Sequence, residues 1–279
     1  MTKKVNGTTN ENGADGILVV DSLDGFFLKD GGLVLEIFGP PKSGKSWQIR
    51  ELVHRLQREP AFQRLWPDFD YRVLKINLKD DYSKEDRGNF HLCYALGHSY
   101  HLRAVRLKRK HPNVNRRGLD LVIADRGPID DNYWAYELHE EGELSLEERD
   151  YALSISKGAE GLVDAGILIG ISSEEALKRE REKLREISDY HGRLGKVMNP
   201  TTLAGLCRIY NLTANRQPYR AVRTDRGYRE AVNLTRRHIL PINGEDQDKD
   251  ANAQRIYDFV LQLSVPTSDE YRELEARVT

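Results

Sequence analysis

The sequence predicts a three-layer α/β fold, with helices on both faces of a parallel sheet of about five strands. Two observations support this prediction. Five short and almost continuously apolar runs are typical of buried parallel strands, and the segments between them have the periodicity of amphipathic helices. A chain of 279 residues is also long enough to bury such a sheet.

The predicted strands follow one another at regular intervals. They occupy residues 33–38, 71–78, 119–125, 166–172 and 238–243. Residues 1–16 have the composition of a disordered tail, and residues 17–28 predict a hairpin or a lead-in strand. One domain is therefore expected over 17–265, followed by a C-terminal tail at 266–279.

The predicted helices lie between the strands. Apolar residues recur at helical spacing in 45–58, 88–110, 129–157, 173–189, 200–213 and about 248–264. In the first of these segments Trp47, Leu52, Val53 and Leu56 fall on one side. This stripe predicts a helix that packs one face against the sheet.

The composition is that of a soluble protein, with 31% charged and 39% hydrophobic residues. No apolar stretch approaches the roughly 20 residues that a membrane span needs, and the polar N-terminus lacks a signal-peptide core. Cys93 and Cys207 are too few for a disulfide framework and have no metal-ligand spacing. A cytoplasmic protein with reduced thiols is expected.

The strongest functional motif follows the first predicted strand. Residues 39–46 satisfy G-x-x-x-x-G-K-[ST], the pattern of a phosphate-binding P-loop, with an apolar strand before it and an amphipathic helix after it. This context predicts a P-loop NTPase fold. The residues expected to hold a nucleoside triphosphate are Gly39, Pro40, Pro41, Lys42, Ser43, Gly44, Lys45, Ser46 and Trp47.

Each fixed position of the motif has a chemical reason. Glycines let the backbone turn tightly, so that successive N–H groups point at the phosphates from the positive end of the following helix. Lys45 is expected to reach the β- and γ-phosphates, and the Ser46 hydroxyl to bind Mg²⁺. The third predicted strand ends at Asp125, which should lie beside the P-loop as a second Mg²⁺ ligand. An ordinary acid at a strand end is the alternative.

Asp125 is followed by Arg126 and Gly127, and then by a helix with three aromatic residues. This segment resembles the DR or ER motif of thymidylate and deoxynucleoside kinases, and the order of the later strands and helices agrees. The resemblance spans about 33–264 but is specific only at the P-loop and at Asp125-Arg126. Gly127-Pro128 departs from the family pattern, and the basic insertion at 216–237 has no counterpart in it.

The resemblance implies a MgATP-dependent phosphotransferase that acts on a nucleoside, a nucleotide or a similar small acceptor. Arg126 would steady the acceptor or the transferring phosphate. In deoxynucleoside kinases a carboxylate just beyond the second strand acts as the base, and Asp80 and Asp81 stand there in this chain. Asp80 is favoured, although adjacent aspartates are also common in turns.

A basic lid is expected over about 173–200, with Arg181, Arg185 and Arg193 as phosphate donors. Arg181 and Arg185 repel each other at a spacing of four residues, and bound phosphate would reverse that cost. A solvated helix face explains the two arginines equally well. On the same helix, Glu174–Lys178 and Glu175–Arg179 are predicted as surface ion pairs.

Two other functions stay open. Basic patches at 103–117 and 216–237 suit a polynucleotide 5′-hydroxyl kinase or another nucleic-acid end-processing enzyme. A nucleic-acid partner is not favoured, since the first patch lacks interleaved aromatic residues and the net charge is −1. The second alternative is a regulatory P-loop NTPase or switch. The helical spacing of His91, His98 and His101 does not favour a metal site, because no fourth ligand is evident. A homodimer is compatible with the sequence.

Overall fold

A computed structural model describes residues 19–20, 33–60, 63, 70–76, 87–107, 120–185, 199–214, 238–246 and 248–264. The strands are β1 (Val19–Val20), β2 (Leu33–Phe38), β3 (Asp70–Leu74), β4 (Asp120–Asp125), β5 (Ala165–Gly170) and β6 (His238–Asn243). The helices are α1 (Lys45–Arg58), α2 (Arg87–Leu107), α3 (Pro128–Glu140), α4 (Leu146–Glu160), α5 (Ser173–Arg185), α6 (Pro200–Ala214) and α7 (Lys249–Ser264).

The strands form one parallel sheet in the order β1-β3-β4-β2-β5-β6. This confirms the predicted α/β class. The five predicted strands are all present, and the two-residue β1 adds an edge strand from within the expected lead-in. The central strand β2 carries the P-loop at its C-terminal end and lies between β4 and β5.

Alternation along β2 divides the core between the two faces of the sheet, because successive strand residues point to opposite sides. Leu35 and Ile37 pack with α1 and α7 in one buried cluster. Val34 and Phe38 belong to the other cluster, with residues of α2, α3, α4 and α6. Glu36 points to the same face of the sheet as Val34 and Phe38, so its carboxylate is buried on the side of that second cluster.

The prediction of one helix over 129–157 is wrong. The chain instead forms α3 and α4, separated by a turn in which Gly142 adopts a φ of 75°. α4 then begins with a capping box, since the Ser145 hydroxyl accepts from the Glu148 N–H and the Glu148 carboxylate accepts from the Ser145 N–H. These local signals outweigh the continuous apolar periodicity.

Several predicted segments lie outside the described residues, namely the two tails, the basic insertion at 216–237, residues 186–198 of the lid and residues 108–117 of the patch at 103–117. Among the described helices none is both long and apolar enough to cross a membrane. Cys207 is buried and Cys93 is partly buried, and both are free thiols.

The packing of α6 on α3 depends on a glycine. A Cβ atom at Gly205 would collide with the carboxylate of Glu137, which is buried on α3. Burial, together with the charge of Glu141, raises the pKa of Glu137 to about 7. The close approach brings the Tyr210 hydroxyl of α6 to Asp130, in the first turn of α3.

We expect Gly205→Ala to lower the free energy of unfolding by about 1 to 3 kcal/mol, because the added methyl group overpacks the α3–α6 contact. Gly161→Ala is the matched control, since Gly161 has a helical backbone at the end of α4 and open space around its Cα atom. Urea unfolding of both variants measures the difference. Equal stability of the two variants would contradict the proposed role of Gly205.

Candidate active site

The P-loop has the backbone that its sequence predicts. Gly39 and Gly44 adopt φ values of 140° and 97°, in the region that favours glycine. A Cβ atom at Gly39 would also collide with the carbonyl oxygen of Ile169 on β5. The loop is therefore held directly against the neighbouring strand, and α1 begins at Lys45 with its N–H groups directed at the loop.

Lys45 is buried inside the loop. Its ammonium group donates hydrogen bonds to the carbonyl oxygens of Gly39 and Pro40, at 2.9 and 2.8 Å, and to the Ser43 hydroxyl at 3.3 Å. Burial, with the charge of Arg126, lowers the pKa of Lys45 to about 7. A phosphate placed in the loop would supply a stronger acceptor than these neutral oxygens.

Asp125 lies beside the P-loop, as predicted. It pairs in register with Ile37 of β2, and its side chain is 9% exposed. The ammonium group of Lys75, immediately after β3, lies 3.1 Å from the Asp125 carboxylate. Lys75 could not be predicted from the sequence, because nothing in the local sequence indicates that β3 pairs with β4.

Arg126 is fixed in position by backbone and side chain together. It adopts a φ of 71°, and its N–H donates to the carbonyl oxygen of Ile37 at 3.0 Å. Its guanidinium donates to Asp130 at 2.5 Å and lies over the ring of Trp134, 5.5 Å from the centroid. Cation–π contact and ion pair both orient the guanidinium beside the P-loop.

Asp130 connects three parts of the site. Besides Arg126, it accepts a hydrogen bond from the Tyr210 hydroxyl at 2.5 Å and one from the N–H of Gly39 at 3.4 Å. Its side chain is fully enclosed. A buried carboxylate is tolerated where it is paired and hydrogen-bonded, so Asp130 holds α3, α6 and the P-loop together. Nothing in the local sequence singles out this residue.

Glu36 explains why Gly127 and Pro128 depart from the sequence pattern of the resembled kinases. Its buried carboxylate accepts the N–H groups of Ile129 and Asp130, at 2.9 and 2.7 Å, and so caps α3 from the neighbouring strand. A Cβ atom at Gly127 would come within 2.9 Å of that carboxylate. Pro128 suits the first helical position, where no N–H is needed. Burial raises the pKa of Glu36, and the two N–H donors oppose this shift.

A cavity of about 520 Å³ extends from the P-loop to the wall between α2 and α3. Lys45, Ser46, Asp125 and Arg126 line it near the loop. Its far wall is aromatic and imidazole-rich, formed by Phe90, His91, Tyr94, His98, Trp134 and Leu138. The size is within the range of small-molecule sites, so the cavity is large enough for a small molecule beside the P-loop.

The far wall contains a buried pair of polar side chains. His98 Nδ1 lies 2.8 Å from a carboxylate oxygen of Asp131. The Nε2 atoms of His98 and His91 have no hydrogen-bond partner among the described residues. Burial lowers the pKa of His91 and favours its neutral ring. Among the described residues, no group of three or more His, Cys, Asp or Glu side chains is placed to hold a metal ion.

The helix α5 contacts the P-loop through side chains. Arg179 donates to the carbonyl oxygens of Lys42 and Gly244, at 3.2 and 2.8 Å, and Lys42 forms an ion pair with Glu180. Arg179 also pairs with Glu175, as predicted. Lys178, by contrast, lies 3.3 Å from Glu175, whereas a pair with Glu174 was expected.

Of the three predicted lid arginines, the structure describes only the side chain of Arg181. Arg181 is exposed on α5 and is not part of the cavity wall. The side chain of Arg185, Arg193 as a whole, and the candidate bases Asp80 and Asp81 lie outside the described residues. Trp47 is partly buried, and Gln48 takes a buried position on α1 beside it.

No family model matches the sequence, and no curated protein matches it at a significant level. Solved structures of deoxyadenosine kinase from M. mycoides are similar in fold. One, with the products dCMP and dCDP, has a TM-score of 0.55 at 13% identity and covers 82% of this chain and 100% of that chain. Another, with bound dATP, has a TM-score of 0.51 at 15% identity over 82% and 99%. The chain thus has the fold of these P-loop kinases, as the resemblance implied.

The capping of α3 by Glu36 leads to a stability prediction. Glu36→Ala removes both acceptors and leaves two buried N–H groups without partners, so we expect a loss of about 2 to 5 kcal/mol. Glu36→Gln keeps one oxygen acceptor and should lose less. Glu182→Ala, at an exposed position of α5, is the control. If urea unfolding gives Glu36→Ala and Glu182→Ala the same stability, Glu36 does not hold α3 in place.

Proposed function

We propose that the chain is a phosphotransferase that uses MgATP to phosphorylate a nucleoside, a nucleotide or a similar small acceptor. One observation supports this proposal above the others: a single cavity contains the P-loop at one end and an aromatic wall at the other. A donor phosphate in the loop and an acceptor against the wall would share that space. Phosphoryl transfer depends mainly on such positioning and on neutralised charge.

The donor end fits a magnesium-bound triphosphate. The Ser46 hydroxyl and the Asp125 carboxylate both line the cavity next to Lys45. Mg²⁺ prefers oxygen ligands of this kind, completed by substrate phosphates and water. Bound magnesium would neutralise phosphate charge, while Lys45 and the loop N–H groups hold the polyphosphate. ATP as the donor follows from the kinase resemblance.

The acceptor end fits a planar heterocycle. Phe90, Tyr94 and Trp134 provide flat apolar surfaces, and the rings of His91 and His98 complete the same wall. Aromatic surfaces favour stacking with a planar ring. A nucleoside or nucleotide provides such a ring. The deoxynucleotides in the similar structures agree with this choice.

Arg126 is proposed to stabilise the transferring phosphate, because Asp130 and Trp134 hold its guanidinium beside Lys45. Asp80 remains the proposed base, and Arg181, Arg185 and Arg193 the proposed lid donors. Arg179, which donates a hydrogen bond to the carbonyl oxygen of Lys42, connects α5 with the P-loop.

The proposal is tested by a screen of nucleosides, nucleotides and 5′-hydroxyl oligonucleotides with labelled ATP. Transfer to a nucleoside or nucleotide supports it. Transfer to oligonucleotides alone would replace it by the end-processing alternative. ATP hydrolysis without transfer to any of these acceptors would favour the regulatory NTPase.

Lys45→Ala should abolish phosphate transfer without unfolding the protein, because the hydrogen bonds of Lys45 are confined to its own loop.

Arg126→Ala should lower kcat by about 100-fold or more and change ATP affinity far less, as expected for a group that acts on developing charge. Steady-state kinetics and direct ATP binding separate the two effects. An equal loss of transfer and of ATP binding in Arg126→Ala would count against its assigned role.

Phe90→Leu should raise KM for the acceptor about tenfold and leave KM for ATP nearly unchanged, because stacking on an aromatic ring contributes roughly 1 to 3 kcal/mol per base. The matched control is Tyr100→Leu, at an exposed position of the same helix that is not part of the cavity wall. Kinetics with the acceptor found in the screen give both constants. An unchanged acceptor KM would place the acceptor elsewhere.

A further inference from the structure

The pairing of Lys75 with Asp125 brings a lysine to the position of the proposed metal ligand. The ammonium group lies 3.1 Å from one oxygen of the carboxylate. Lys75 and Asp125 both line the cavity next to Lys45 and Ser46. The charge of Lys75 also helps to lower the pKa of Lys45, which indicates that the two ammonium groups are close.

Lys75 is held less firmly than the other cations of this cavity. Its side chain is 49% exposed, compared with 26% for Arg126 and 12% for Arg87. Arg126 is fixed by the enclosed carboxylate of Asp130 and by Trp134, and Arg87 is fixed by two glutamates. A half-exposed lysine has a flexible stem and can change partner at little cost.

Asp125 has a limited capacity for cations. Its carboxylate is largely enclosed, and Lys75 already occupies one of its oxygens. A divalent cation at Asp125 would stand next to the ammonium group and repel it. A bound triphosphate supplies several anionic oxygens in the same cavity, so a displaced lysine would find a new partner there.

We propose that Lys75 neutralises Asp125 when no metal is bound and moves to a phosphate oxygen of the nucleotide when a divalent cation takes its place. This inference rests on the proposed function, because it requires a triphosphate in the P-loop. It assigns to Lys75 a phosphate-binding role at the end of β3. Lys75 and the metal then exchange at one carboxylate, and the charge of the site stays balanced in both states.

The test is the affinity for ATP with Mg²⁺ present and with the metal removed by a chelator. Binding can be followed by the fluorescence of Trp134, which lines the cavity, and of Trp47, which follows the P-loop. In Lys75→Met, Asp125 keeps its charge and repels metal-free ATP, whereas MgATP loses only one contact with a half-exposed lysine, which contributes less. The dissociation constant for ATP without metal, divided by that for ATP with Mg²⁺, should therefore be about ten times larger than in the wild-type protein. Lys75→Arg should keep the wild-type ratio.

Two further variants make the test specific. In an Asp125→Asn background no carboxylate needs a counter-ion, so Lys75→Met should no longer change the ratio. Lys157→Met, at an exposed position of α4 outside the cavity wall, should have the wild-type ratio. The proposal is overturned if Lys75→Met gives the same ratio as Lys157→Met, or if its effect persists in the Asp125→Asn background.

Failure of this inference is distinguishable from failure of the proposed function. If wild-type protein binds ATP but phosphorylates no acceptor in the screen, the function fails and the magnesium ratio still decides the role of Lys75. If ATP binds and transfer occurs while the ratio is unaffected by Lys75→Met, only the inference about Lys75 fails. If the folded wild-type protein binds no triphosphate in either condition, both are wrong.

Discussion

The site depends on one buried contact between the strand β2 and the first turn of α3. The Glu36 carboxylate, which lies in the strand leading to the P-loop, accepts two N–H groups of α3. A helix terminus buried without partners is costly, so this contact fixes where α3 begins. Arg126 and Asp130 flank that start, and their positions relative to Gly39 follow from it. The loop and the arginine therefore form one rigid unit.

Near the P-loop, Lys45, Arg126 and Lys75 each have an anionic or carbonyl partner. Lys45 donates to its own loop, Arg126 to Asp130, and Lys75 to Asp125. Such pairing keeps buried charges tolerable in the absence of a ligand. A polyphosphate must consequently compete with internal partners. The partners differ in strength, since Asp130 is enclosed while Lys45 has only neutral acceptors, so Arg126 is expected to stay in place and Lys45 to turn toward the ligand.

The sequence predicts those parts of the site that depend on local pattern. β2, β6 and α1 have their predicted bounds, and Asp125 lies beside the loop because adjacent parallel strands end at the same edge. Three contributions could not be predicted. The contacts of Glu36 with α3, of Lys75 with Asp125 and of Arg179 with Lys42 join residues that are distant along the chain. Gly127, which departs from the kinase pattern, is explained by its contact with Glu36, far earlier in the sequence.

The adjacent residues Asp130 and Asp131 connect the two ends of the cavity. Successive residues of a helix point about 100° apart, so the two carboxylates face different neighbours. Asp130 bonds to Arg126, Tyr210 and the P-loop, whereas Asp131 bonds to His98 in the opposite wall. A shift of the first turn of α3 would therefore move the donor side and the acceptor side together. Since Glu36 fixes that turn, it helps to set the distance between the phosphate loop and Trp134, the part of the aromatic wall that α3 contributes.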